Sequence, residues 1–215
     1  MKDKIPLSDD QFFWKKSTIN VISKVENYFE KEIGNYKQRI KEINNGDLDI
    51  NATKVLVSEC KNNIKEIVDF NELFRKSLVM SIYSYLECFL KIRCLELSNT
   101  NNSKIKPDDL KGGEIDKFVK YIDFAESVDL KNQHKNSWKK IKMIQLIRNK
   151  IVHSNGLIDL KYDQEIIGFL KGDGSKLIRI NNNKIFINKY FLFQEVRWIY
   201  KFLREYLSIT TEKPF

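Results

Sequence analysis

The sequence predicts an all-α protein, a bundle of long helices carrying one small β-hairpin near its C-terminus. Three observations lead there. The 215 residues include only 8 Gly and 3 Pro, too few turn-formers for a sandwich or barrel. Apolar residues recur at three- and four-residue spacing over long stretches, the period of a helix with one buried face. Only one short segment, residues 177–188, alternates with the period of a strand. One domain spanning residues 1–215 is expected at this length, with residues 177–210 as an appended part of it.

The first helix should run from Ser8 to about Asn45. Ser8 and Gln11 form a capping-box pattern, Phe12, Phe13, Ile19, Ile22, Val25 and Phe29 repeat at helical spacing, and Gly34 marks a break. The second should extend from about Ala52 to Leu97. It starts amphipathic, with Cys60, Ile64 and Ile67 on one stripe, and becomes apolar on most sides from Leu73 onward, as a central bundle helix does. Ser81, Ser84 and Glu87 interrupt that run at spacing three, on adjoining turns of one face. Residues 98–113 contain Pro107 and Gly112-Gly113 and read as a loop. Helices follow over about Glu114–Val128, Lys135–Val152 and, shorter, Asp163–Leu170. Leu-Ile-Arg-Ile, an Asn181-Asn182-Asn183 turn and Lys-Ile-Phe-Ile then predict the hairpin. The last helix, from Lys189 to about Leu207, is rich in aromatics. Phe191, Trp198, Tyr200 and Tyr206 there are expected to serve the core rather than to form a base-stacking platform.

Charge and composition exclude several function classes. Lys and Arg number 38 against 29 Asp and Glu, a net charge of +9, with 42% hydrophobic and 31% charged residues; this is a folded chain whose basic surface is either a plain Lys-rich solvated one or a face for polyanions. No stretch approaches a membrane span, and Met1–Leu7 lacks the apolar region of a signal peptide, so a cytoplasmic protein with no membrane partner is expected. Cys60, Cys88 and Cys94 are odd in number and form no CxxC pair; Cys88 and Cys94, inside an apolar helix, are expected as buried free thiols. Only His134 and His153 could add imidazole, neither at ligand spacing, so no metal site is expected. Gly-rich phosphate loops are absent, and no cofactor is expected.

The stretch that carries chemistry is Arg148-Asn149-Lys150-Ile151-Val152-His153-Ser154-Asn155-Gly156, at the end of a predicted helix. At about 100° per residue, Met143, Ile144, Ile147 and Ile151 share an inward face. Trp138, Lys142, Gln145, Asn149 and His153 fall roughly opposite, with Asn149 and His153 at i and i+4 and Arg148 flanking them. Gly156 suits the helix terminus. Lys139, Lys140, Lys142 and Lys150 lie on the same helix and are expected, with Ser84, to bind substrate.

The Arg148-Asn149 … His153 … Gly156 string, with the upstream helix around Ser81–Lys91, resembles the HEPN superfamily (higher eukaryotes and prokaryotes nucleotide-binding domain), whose ribonuclease members carry R-x(4–6)-H. The resemblance covers roughly Leu73–Gly156. It implies that Arg148 and His153 are a catalytic pair, that Asn149 is the polar second residue of the motif, and that Glu87 is an upstream acidic site residue. It further implies metal-independent endoribonuclease activity leaving 2′,3′-cyclic phosphate and 5′-hydroxyl ends, a homodimer with a composite active site, and a toxin–antitoxin or antiviral-defence setting with an antitoxin or other partner protein. Some members carry a Tyr two residues after the His that a partner enzyme modifies; Asn155 stands there, which puts that route of neutralisation in doubt. The alternative is a non-catalytic RNA-binding or protein-interaction module on the same fold.

Overall fold

In the computed structural model, residues 7–101, 105–172 and 174–211 are described, side chains at 7–10, 101 and 207–211 excepted. Helix α1 (Leu7–Asn45) turns back through residues 46–49 into α2 (Ile50–Asn101), and the two pack antiparallel. A short 3-10 turn (Pro107–Asp109) leads to α3 (Glu114–Glu126), a single turn α4 (Leu130–Gln133), α5 (Lys135–Ser154) and α6 (Gln164–Lys171). Strands β1 (Ile178–Asn181) and β2 (Lys184–Ile187) follow, and α7 (Lys189–Thr211) closes the bundle. The all-α class and the single small hairpin are as the sequence predicts.

At about 1.5 Å per residue, the 39 residues of α1 reach ~58 Å and the 52 of α2 reach ~78 Å. Their loop ends therefore project as an arm. Packing concentrates at the other end, where α2 meets α3, α5, α7 and β2. Val79, Ile82, Leu86, Phe89 and Leu90 of α2 are buried there with Ile115 and Ile122 of α3, Ile144 and Ile147 of α5, and Phe191, Ile199 and Phe202 of α7. Each such side chain contributes ~1.5–3 kcal/mol by leaving water, so the stability of the chain resides at this end. Helix α7 runs antiparallel to α1, with Lys189 paired to Glu30 near its start and Lys15 beside Tyr200 further along.

Three expectations are corrected. Gly34 does not break α1; no atom lies within 4 Å of a Cβ built there, so it sits in solvent on a helix that neighbouring residues sustain. Ser8 is not the N-cap, because Leu7 is already helical. Cys88 is exposed, whereas Cys60 and Cys94 are buried. An apolar helix still has one face toward solvent, and on α2 the small residues Ser77, Ser81, Ser84 and Cys88 occupy it.

The hairpin is built as its residues require. Ile178 pairs with Ile187 and Ile180 with Ile185. Asn182 (φ 47°) and Asn183 (φ 57°) form the turn, both left-handed, which asparagine tolerates better than most residues. Ile178, Ile185 and Ile187 face the core. Among the described residues no helix is long and apolar enough to cross a membrane.

Candidate functional site

Helix α5 positions the motif through its apolar stripe. Met143, Ile144, Ile147 and Ile151 are buried against the bundle, so the next faces round carry Arg148 to one side and Asn149 and His153 outward. At its end Asn155 takes a left-handed φ of 50° and Gly156 one of 81°. The Gly156 amide donates to the Lys150 carbonyl at 2.8 Å, and its own carbonyl accepts from the Ile185 amide at 2.8 Å. The motif helix is thus stopped by a glycine cap that also fastens it to β2.

Arg148 points toward α2. Its Cζ lies 5.5 Å from the centre of the Tyr83 ring, and its Nη1 donates to Asn149 Oδ1 at 3.0 Å. Its Nε is buried without a hydrogen-bond partner among the described residues, while its Nη2 makes no hydrogen bond with them and is not buried, so Nη2 is the donor the guanidinium has to spare. Glu87, half-buried on α2, feels this charge. Burial pushes its carboxyl above the usual carboxylate range, Arg148 opposes that, and Glu114 adds to it. Tyr83 sits beneath the guanidinium with its phenol raised by burial and by Glu87. The fold thus brings Glu87 and Arg148 together across α2 and α5, with no ion pair within 4 Å between them.

His153 occupies a different flank. It is exposed and makes no hydrogen bond or ion pair with the described residues. With Asn149 it lines an open groove of about 290 Å³ between α5 and α6, whose other walls include Lys150, Tyr162, Asp163 and Glu165. Five residues along a helix turn through about 500°, so Arg148 and His153 lie ~140° apart around α5. Asn149 is the link: it accepts from Arg148 and shares the groove with His153.

The lysines read as substrate contacts scatter. Lys142 Nζ pairs with Asp116 on α3 at 2.8 Å, and Lys150 Nζ pairs with the buried Asp163 at 2.8 Å. Lys140 turns to α7, its Nζ 5.4 Å from the Trp198 ring centre. Lys139 and Ser84 are exposed, Ser84 one turn from Glu87 on the solvent face of α2. Tyr83, Asp116, Tyr162 and Asp163 are not among the site residues expected from the sequence. Tyr83 and Glu87 are i and i+4 on one helix, a signal that the period of α2 contains; the other three meet α5 only through the fold. Among the described residues no group of three or more His, Cys, Asp or Glu side chains converges as metal ligands would.

Chemically, the site offers a polarisable acceptor and donor (His153), a planar cation with a free donor (Arg148), an amide between them (Asn149), and a carboxyl biased toward its neutral form (Glu87). Compared with known proteins, the chain matches no family model, no curated protein and no solved structure.

Proposed function

We propose that this chain is a metal-independent endoribonuclease of the HEPN type, acting through Arg148 and His153. The observation that carries the reading is the end of α5, where an unencumbered imidazole and a guanidinium with a donor to spare flank one amide. His153 accepts the proton of an RNA 2′-hydroxyl, the oxygen attacks the adjacent phosphorus, and the bond from phosphorus to the 5′ oxygen breaks. When two copies pair, Arg148, which faces a different flank of α5 from His153 within one copy, meets the same phosphate and stabilises the charge that develops on the phosphoryl oxygens. The leaving oxygen takes its proton from an acid, supplied by the second His153 when two copies pair. Products are a 2′,3′-cyclic phosphate and a 5′-hydroxyl, and DNA is not cut. Such an activity fits a toxin or defence effector held in check by a partner protein.

The test is end-group analysis of RNA incubated in EDTA with wild type, His153→Ala and Arg148→Ala. Losing a general base costs about 10²–10⁴ in rate, so both variants should fall below detection while retaining wild-type helical content. Equal cleavage by wild type and His153→Ala sinks the mechanism.

A second reading, the non-catalytic binding module, draws on the internal pairing of Lys142 and Lys150, which removes two cations from the motif's surroundings. Expression in a host separates the two: wild type arrests growth and the His153 variant does not if the chain is a nuclease, whereas a binder treats both alike.

A further inference from the structure

Away from the motif, α7 presents Arg197, Lys201 and Arg204 to solvent at i, i+4 and i+7. They form one stripe, with axial steps of about 6 and 4.5 Å. A lysine leans in from each neighbouring helix: Lys15 of α1, its Nζ 4.2 Å from the Tyr200 ring centre, and Lys140 of α5 over Trp198 at 5.4 Å. Among the described residues, Lys15, Lys140, Arg197 and Arg204 make no ion pair, and Lys201 meets only Glu205, at 3.5 Å. Five cations thus face one carboxylate. Elsewhere the charges are mixed: residues 30–69 hold seven Lys and Arg against eight Asp and Glu. Beyond Lys201 the stripe runs into a groove of about 230 Å³ whose walls include Lys135 and Asn136. Phe12, 56% exposed and one turn before Lys15, adds an aromatic face at the α1 edge.

We propose that this α1–α7–α5 face binds the backbone of single-stranded nucleic acid. Repeated cations at a few ångströms' spacing match a chain of single phosphate charges, and Phe12 at the α1 edge offers an exposed ring where a base can lean, the Tyr200 and Trp198 rings being engaged by Lys15 and Lys140. An acidic peptide would make no use of that ring. A membrane surface would require more exposed apolar side chains than Phe12 along the stripe. The face is separate from the motif: along α5, Lys140 lies ~12 Å from Arg148 and ~20 Å from His153, and about 140° round the helix from His153. It does not rest on His153 chemistry. In a nuclease it holds the flank of the strand being cut, and it binds whether or not the motif cuts.

The test uses fluorescein-labelled oligo(dT) of about 20 nucleotides, longer than the ~4–16 one groove covers and lacking the 2′-hydroxyl. Affinity is measured against salt for three proteins: wild type, the triple variant Arg197→Ala, Lys201→Ala, Arg204→Ala, and a charge-matched control with Lys37→Ala, Arg39→Ala and Lys41→Ala in the arm. All six positions are exposed, and alanine preserves helix. The α7 variant should bind at least ~10-fold more weakly at low salt, with the slope of log K against log salt shallower by about 2, since each single-strand phosphate contact contributes ~0.7. The control should stay near wild type. Wild-type affinity in the α7 variant, an equal loss in the arm control, or capture of phosphatidylserine vesicles with oligo(dT) unbound would each overturn the proposal. RNA left uncut while oligo(dT) binding follows the expected pattern would sink the nuclease reading alone.

Discussion

Glu195 of α7 has no exposed surface, and neither of its carboxylate oxygens has a hydrogen-bond partner among the described residues. Burial alone holds its pKa well above the ordinary carboxylate value. The folded chain therefore keeps this proton at pH values where the unfolded chain has lost it. Stability from this group is complete below the unfolded pKa near 4.5 and is lost as pH rises through the folded value. The unfolding free energy of wild type, measured by urea denaturation, should fall as pH rises above 4.5 by up to about 1.4 kcal/mol per pH unit, and Glu195→Gln should flatten that fall. A wild-type slope unchanged in Glu195→Gln would contradict the assignment. Asn149 poses a question about rate. Without its Oδ1, Arg148 loses its 3.0 Å tether, and misplacing a charge-stabilising group costs up to ~10²-fold. Asn149→Ala should cleave RNA about 10–100-fold more slowly with helical content unchanged. That Arg148, Asn149 and His153 share the end of one helix was legible in the sequence. That Lys142 and Lys150 are spoken for by Asp116 and Asp163 was not, because those pairings cross between separate elements.

Where the α1–α2 arm leaves the core, Glu26 (side chain 2% exposed) receives two hydrogen bonds from Arg75, at 2.7 and 2.6 Å, and Arg75 also donates to the Ile187 carbonyl of β2 at 3.2 Å. Arg75→Ala would strand a buried carboxylate, so it should cost about 3 kcal/mol in chemical denaturation. Replacing both Glu26 and Arg75 with leucine should recover most of that loss. At the other end of α2's partner helix α5, the strain at Gly156 is one of backbone and not of space. A Cβ there meets Ile185 at an ordinary 3.6 Å, but φ is 81°. Gly156→Ala should therefore destabilise by ~1–2 kcal/mol and loosen the motif helix from β2. The elements themselves could be read from periodicity because their apolar stripes are long and their turn residues few. Gly34 misled because an exposed glycine costs a 39-residue helix only ~1 kcal/mol, too little to break it. The short α4 escaped notice because four residues cannot display a period.

Across the molecule, the +9 charge is unevenly distributed. Lys142 and Lys150 beside the motif are matched by carboxylates, whereas the α7 stripe and its flanking lysines meet only Glu205. The sequence placed the basic surface along α5, since Lys139, Lys140 and Lys142 are adjacent there. Three-dimensional packing divides them, sending Lys142 to α3 and Lys140 to α7. A substrate strand would thus be gripped on one side of the bundle and cut on another. The most direct measurement is cleavage of a defined RNA in EDTA by purified wild type and His153→Ala, with both new ends identified. The account predicts 2′,3′-cyclic phosphate and 5′-hydroxyl ends from wild type and intact RNA with His153→Ala. Equal cleavage by the two proteins, or cleavage only after divalent metal is added, would contradict it.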